Sequence, residues 1–284
     1  MSDDRQFHPG LAGDLEKIAA QQRARRQMLT WLASGYAAAF IAACRGVGTS
    51  YGRDRSGSSA GVASACIENP AETSGPFPAD GSNFANHSTS NVLTSSGIVR
   101  SDIRSSFGGS TAMAQGVPLE LTITLVNSNR ACAPLQGHAV YLWHCDRSGD
   151  YSLYSSSIRN ENYLRGVQVT DTRGQVRFTT IYPACYAGRY PHIHFEIYRE
   201  LSSATSYRNS MLVSQMAMPR DTCQTVYKSA AGYSRSLTEL SDVTVSSDNV
   251  FEDSSAAQIA RQTPVLTWSV SAGYTGTILI AVDA

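Results

Sequence analysis

The run Tyr-Pro-Ala-Cys-Tyr-Ala-Gly-Arg-Tyr-Pro-His-Ile-His, residues 182–194, ends in two histidines separated by one residue. The residues that follow, Phe195, Glu196, Ile197 and Tyr198, alternate as a strand does. In a strand, residues i and i+2 face the same way. His192 and His194 can therefore offer two imidazoles to one point. A lone His-x-His on a strand more often reflects packing or surface than a site, so the neighbourhood decides. Tyr186 lies six residues before His192, Arg189 lies three before it, and Tyr151 follows Trp143-His144-Cys145-Asp146-Arg147-Ser148-Gly149-Asp150 upstream. A phenol ionises only near pH ~10, which makes tyrosine an uncommon ligand. A trivalent cation lowers that value and binds the phenolate outright. Two imidazoles with two phenolates make a hard, anionic set that favours Fe(III). The facial triad of ferrous oxygen-activating sites, two histidines and a carboxylate, is a different set.

The elements that must position these residues read as strands. Residues 119–126 alternate apolar and polar side chains. Further strands are expected at 139–144, 175–180, 192–198, 211–218, 264–270 and 275–282, separated by clusters of Gly, Pro, Asn and Ser. Only two short helices are expected, at 221–231 and 256–261. This is an all-β pattern, a β-sandwich with few short helices. No linker divides residues 64–284, which read as one domain. The chain has 284 residues, a formal net charge of +0 and 16% charged residues. Without a positive excess, no nucleic-acid partner is expected. Abundant Ser, Thr, Gly and Asn suit a secreted-type β protein.

Residues 1–43 read as an export signal. A polar leader ends in Arg23-Ala24-Arg25-Arg26, an apolar run occupies 28–43, and the stretch closes on Ile41-Ala42-Ala43-Cys44. The apolar run is shorter than the roughly 20 residues needed to span a bilayer. The Arg25-Arg26 pair resembles a twin-arginine signal. The last four residues resemble a lipobox, with Cys44 lipidated and left as the new N-terminus. The bland alternative is a short buried helix with a chance Arg pair. Residues 44–63, rich in Gly, Ser and Arg, form a flexible tether. The protein would then sit in the periplasm or at the cell surface, touching the membrane only through lipid. The twin-arginine route carries folded proteins, so iron could be loaded before export, away from competing copper and zinc. Cys66, Cys132, Cys145, Cys185 and Cys223 remain, enough for at most two disulfides and a spare thiol. Spacing does not assign the pairs; Cys145 and Cys185 flank the metal-site segments, so a bridge or close approach there is expected. The absence of a Cys-x-x-Cys spacing argues against a thiolate zinc site.

Tyr151 within Gly149-Asp150-Tyr151, Tyr186 within Pro183-Ala184-Cys185-Tyr186-Ala187-Gly188-Arg189, and His192-Ile193-His194 together resemble the ferric site of the intradiol ring-cleavage dioxygenases. Glu72-Thr73-Ser74-Gly75-Pro76-Phe77, Val99-Arg100-Ser101-Asp102-Ile103, Leu164-Arg165-Gly166 and Ser214-Gln215-Met216 extend the likeness over residues 66 to about 218. It is to the exported branch of that family, in which the tyrosine-to-histidine loop is short. The resemblance implies the β-sandwich of that family and a non-haem Fe(III) held by Tyr151, Tyr186, His192 and His194. It implies a catechol-type diol and O2 as substrates and a muconate-type dicarboxylate as product. Tyr186 would be the tyrosine that leaves the metal as substrate binds and takes a diol proton. Arg189 would stabilise negative charge on the oxidised ring, and Gln215 would orient Arg189.

The chain departs from the family at Ala184 and Cys185, where Gly and Trp are common, and at Tyr190, where the residue is smaller. Tyr190 is a pocket candidate that could narrow the site, stack on a ring or act as a spare ligand. Arg165 is a turn residue or a second pocket candidate. The helical dimerisation region of the catechol-type members is absent, and oligomeric state is left open. His138 and His144 read as hydrogen-bonded core histidines, and Tyr154, Tyr163 and Tyr198 as packing residues. The competing function is a non-catalytic lipoprotein whose site binds metal or phenolics. A serine hydrolase, prompted by the many serines, is disfavoured, because Ser richness suits turns and tethers equally well.

Overall fold

The computed structural model describes residues 66–85 and 88–284. The expected export signal, the tether and Cys44 lie outside the described residues. The strands are β1 (Asp80–Ala85), β2 (Ser88–Asn91), β3 (Pro118–Asn127), β4 (Ala133–Pro134), β5 (Ala139–Trp143), β6 (Arg165–Val169), β7 (Gln175–Ile181), β8 (His192–Tyr198), β9 (Ser210–Ala217), β10 (Val265–Ser269) and β11 (Gly273–Val282). The α-helices among the described residues are α1 (Arg220–Ser229), α2 (Ser234–Asp242) and α3 (Ala256–Gln262). One sheet has the order β10-β11-β3-β4, with β7 also paired to β3; the other is β6-β5-β8-β9. Every pairing is antiparallel except β11 with β3. The sheets form a β-sandwich, as the alternating runs require.

Strand β3 shows the physics of the first sheet. Leu119, Leu121, Ile123 and Leu125 are buried, while Pro118 and Glu120 are exposed. Ile123 stands beside Ile278 of β11 and Val176 of β7, so the inward positions line up across the sheet. They meet Val140, Leu142, Ile193, Phe195 and Ile197 of the second sheet in one apolar core. Removing such a side chain costs a few kcal/mol, through lost transfer energy plus a cavity.

The second sheet is buried on both faces, and this places the site. All seven residues of β8 are buried. Ile193, Phe195 and Ile197 enter the inter-sheet core. His192, His194, Glu196 and Tyr198 face the other way, as the period of two demands. That outer face also carries Tyr141 and Trp143, and it is covered by Ala79, Val92, Leu93, Ile98, Cys145 and Tyr151. Two chain segments therefore roof the polar face of β8: the stretch before β3, and the loop between β5 and β6.

The expected strands all form, with ends shifted by at most two residues. The hairpin β1–β2, β6 and α2 were not expected. Strand β6 begins with Arg165 and Gly166, which hide its period, and α2 is Ser- and Thr-rich with only two leucines to mark a face. The cysteine pairing is Cys66–Cys132; Cys145, Cys185 and Cys223 are free and buried. Of the bridge or close approach expected for Cys145 and Cys185, the bridge does not form. Instead the Cys145 thiol donates to the Ala184 carbonyl (3.7 Å) and that of Cys185 to the Arg189 carbonyl (3.4 Å).

The bridge ties down a strap. Asn69 exchanges hydrogen bonds with Ala281 of β11 (3.0 and 2.9 Å), and the Glu72 amide donates to Val213 of β9 (2.8 Å). The strap thus spans both sheets before it reaches the site. The bridged residues are 66 positions apart, a loop whose closure constrains the unfolded chain by about 4 kcal/mol. The double variant Cys66→Ser/Cys132→Ser should lose about 3–4 kcal/mol in urea unfolding; an unchanged midpoint and slope would show that the strap is held without the bridge.

Candidate metal centre

Four side-chain donors from three segments converge. Tyr151 comes from the loop after β5, Tyr186 from the turn between β7 and β8, and both histidines from β8. The Tyr151 hydroxyl lies 3.4 Å from that of Tyr186 and 3.3 Å from His192 Nε2. Tyr186 is 3.2 Å from His192 Nε2, which is 3.0 Å from His194 Nε2. Donors bound about 2.0–2.2 Å from a shared ion stand roughly 3 Å apart, so these separations fit one common centre. Among the described residues no group of three or more His, Cys, Asp or Glu side chains is placed to hold a metal. The donor set is instead mixed, two imidazoles and two phenols.

Each donor is aimed by its surroundings. His192 Nδ1 is 2.6 Å from the Tyr190 carbonyl. A carbonyl only accepts, so Nδ1 carries the proton and Nε2 presents its lone pair to the centre. The His194 ring stacks on Trp143, 4.8 Å between centroids and 4° from parallel. Gly75 approaches the ring too, and an added Cβ there would stand 3.2 Å from His194 Cε1. Gly75 also has φ +69°, a conformation that other residues adopt at a cost. The Tyr151 ring leans on Phe77, 4.9 Å away. Tyr186 sits in a tight turn closed by the Arg189 amide on the Tyr186 carbonyl (3.1 Å). Gly149 lets the Tyr151 loop approach that turn, since a Cβ there would meet Tyr186 Cβ at 3.0 Å.

The donors differ in access. Tyr151, His192 and His194 are buried, whereas Tyr186 is half-buried and followed by exposed Ala187 and Gly188. Burial, reinforced by Arg189, brings the His192 pKa down to about 3 and holds His194 well below its usual value. Burial pushes the Tyr186 phenol up to about 12, against an opposing pull from Arg189, and lifts Tyr151 well above its ordinary range. The four donors are thus neutral without a cation, and only a strongly charged ion can displace the phenol protons to solvent.

Arg189 is buried next to this centre. Its Nε donates to Asp248 Oδ2 (2.9 Å) and its Nη2 to Gln215 Oε1 (2.6 Å). Gln215 lies opposite His194 in the β8–β9 register and donates to the Thr73 carbonyl (2.8 Å). Asp248 had no signal in the sequence, since nothing marks its segment. Two pocket candidates lie elsewhere. The Tyr190 ring is buried in the inter-sheet core, and the residue serves the centre through its backbone. Arg165 is fully engaged: its donors reach Ser152 Oγ and carbonyl, the Phe77 and Pro78 carbonyls and the Tyr141 hydroxyl, at 2.9–3.2 Å. It clamps the roof and has no donor to offer a ligand. His144 is a core histidine bonded to the Cys145 carbonyl and Thr180 Oγ1, both at 2.7 Å.

Comparison with known proteins places this arrangement. Residues 110–231 match the family model described as Dioxygenase. The chain has the intradiol dioxygenase fold. An intradiol ring-cleavage dioxygenase from Tetranychus urticae aligns with 24% identity and a TM-score of 0.56, over 77% of this chain and 95% of that one. A second dioxygenase structure aligns with 24% identity and a TM-score of 0.57, over the same shares. No curated protein matches the chain. The resemblance first read from the tyrosine and histidine motifs thus agrees with both the family model and the fold. The matched span contains Tyr151, Tyr186, Arg189, both histidines and Gln215; Gly75 and Asp248 fall outside it.

Gly75→Ala should destabilise the protein by about 1–3 kcal/mol through backbone strain and shift the His194 ring. Gly137→Ala also has positive φ but nothing within 4 Å of its Cβ, so it should show the strain alone. Equal ferric-iron retention by the two variants against a chelator would refute the Gly75–His194 contact. The metal-free protein has a predictable acid limb. His192 titrates natively near 3 and His144 near 4, both below the value of about 6.5 expected when unfolded. Through these two groups the unfolded chain binds more protons between these limits, so their contribution to stability rises with pH from about 3 to 6.5, while burial of Glu196 and Asp146, whose carboxyls it pushes up, acts the other way. Urea midpoints should therefore climb less with pH across that window in His144→Gln than in the wild type; equal slopes would contradict a neutral buried imidazole at that position.

Proposed function

We propose that this chain is a non-haem Fe(III) intradiol dioxygenase, cleaving catechol-type diols with O2 to muconate-type dicarboxylates. The convergence of the Tyr151, Tyr186, His192 and His194 donors within 3.0–3.4 Å of their neighbours supports it most directly. Tyr151, Tyr186, His192 and His194 would hold the ion. When bound, ferric iron supplies a site for the chelating diol and the redox chemistry with O2. The other roles belong to the protein. Tyr186, the half-buried donor at the mouth, is the one with room to swing out. Its phenolate takes a proton from a diol hydroxyl, so one O–H bond breaks as another forms. Arg189 places a buried positive charge where the diol oxygens carry negative charge, and Gln215 holds its direction. Trp143 and Gly75 keep the His194 ring in plane, while the strap and the Tyr151 loop exclude water.

The reading extends to location. We infer export through the twin-arginine route and anchoring at a membrane by lipid on Cys44. The Cys66–Cys132 disulfide suits an oxidising compartment and supports it. Mass spectrometry of the N-terminal peptide should find a lipidated Cys44; an unprocessed leader in membrane fractions would overturn this.

An oxygen electrode decides the enzymatic reading. Iron-loaded protein given a panel of catechols should consume one O2 per diol and form a ring-opened dicarboxylate. Tyr186→Phe should lower kcat by about 100-fold or more; full turnover by that variant sinks its role as base. Tyrosinate-to-iron colour that responds to catechol without oxygen uptake would favour a binding protein instead.

A further inference from the structure

Asp248 lies beyond the span matched by the family model, in a segment without a recognisable motif. Its carboxylate is wholly buried and accepts four N–H donors. Oδ2 accepts from Arg189 Nε (2.9 Å) and the Tyr190 amide (2.6 Å). Oδ1 accepts from the amides of Val250 (2.9 Å) and Phe251 (3.2 Å). The Phe251 ring is sunk in the inter-sheet core, so the loop that presents this carboxylate is anchored. Arg189 is therefore held on two edges, by Asp248 and by Gln215 Oε1. Its Nη1 has no hydrogen bond among the described residues, while its charge acts on Tyr186, Tyr151, His192 and His194. The Tyr190 peptide is gripped on both sides. Asp248 takes its N–H, and His192 Nδ1 donates to its carbonyl (2.6 Å).

We infer that Asp248 is a positioning residue for the reaction: it aims the unbonded edge of Arg189 at the oxygens of the bound diol and, through the Tyr190 peptide, orients His192. This rests on the dioxygenase reading above. A buried ion pair is weak evidence for a role in stability alone, because desolvation offsets much of its attraction. The geometry also demands a carboxylate. All four partners are N–H donors, so an asparagine would turn its own NH2 toward one pair or the other.

The test uses the full chain loaded with iron, with catechol as substrate. Asp248→Asn should lower kcat by about 100-fold, the penalty of a misplaced catalytic group, with KM changed less than about threefold. On an Arg189→Ala background, the same substitution should cost about tenfold or less further, because the route through the arginine is already lost and only that through the Tyr190 peptide remains. Losses that multiply in the double variant would overturn the proposal, as would full turnover by the single one. Should Asp248→Asn not fold, Asp248→Glu keeps the charge one methylene out of place and supports the same comparison. Metal-free protein gives a second readout. Hydrogen exchange of the peptide spanning residues 189–193 should accelerate in either variant while β3 stays protected; unchanged exchange there removes the link to His192. If wild-type protein consumes no oxygen, the dioxygenase reading fails, and the exchange result still decides whether Asp248 holds the Tyr190 peptide.

Discussion

The site depends on a strand buried on both faces. In β8 the alternation of side chains is forced by backbone geometry. Burying Ile193, Phe195 and Ile197 between the sheets leaves His192 and His194 no direction but the outer face. A one-residue slip would put the imidazoles in the apolar core and the isoleucines in the site. The core that stabilises the sandwich therefore also sets the position of the two nitrogens. Neighbouring strands extend the constraint: Trp143 and Gln215 stand opposite His194, one stacking on its ring and the other reaching Arg189.

Charge in this centre is conditional. Burial disfavours the imidazolium and phenolate forms alike. The donors can carry negative charge only when a cation compensates it. Arg189 does not upset this balance, because Asp248 neutralises it within the same buried layer. The pair is still directional. A guanidinium held on two edges presents a third with little freedom to rotate, which is how a buried dipole favours charge that develops later. Half-burial singles out Tyr186. Three donors are locked by the sheet and its roof, and one is left at the surface of a short glycine-containing turn. That asymmetry, more than the identity of the four residues, gives the proposed base room to move.

Much of this was legible in the chain, and the reason is periodicity. Residues 192–198 form β8 with the bounds the alternation implied, and β3, β5, β7, β9, β10 and β11 lie where apolar periods fall between turn residues. The two short helices also form near their expected limits. What stayed hidden has no local signature. Arg165 looks like a turn or pocket residue because a charge in sequence suggests solvent; only the fold supplies the carbonyls that bury it. Tyr190 looks like a pocket residue because it precedes the histidines. Yet the side chain before a donor strand need not share its direction, and here it joins the core. Asp248 is 59 residues from Arg189, a separation no short motif can encode. Cysteine pairing was undetermined for the same reason.

These hidden residues show that the centre is not contained in the span from Tyr151 to Gln215. Before it, the strap supplies Gly75 against His194, the Thr73 carbonyl to Gln215 and the Pro78 carbonyl shared by Arg165 and Tyr141. After it, Asp248 supplies the counter-charge. The two flanks also join each other, since Gln262 of α3 donates to Glu72 Oε1 (3.0 Å) and to the Gln215 carbonyl (3.4 Å). Strap, second sheet and C-terminal helix thus meet behind one glutamine. Such contacts are made by buried polar groups whose loss leaves unpaired partners, so the donors' spacing should respond to changes far along the chain. A fragment limited to the motif-bearing strands would keep all four donors and lose the groups that aim them.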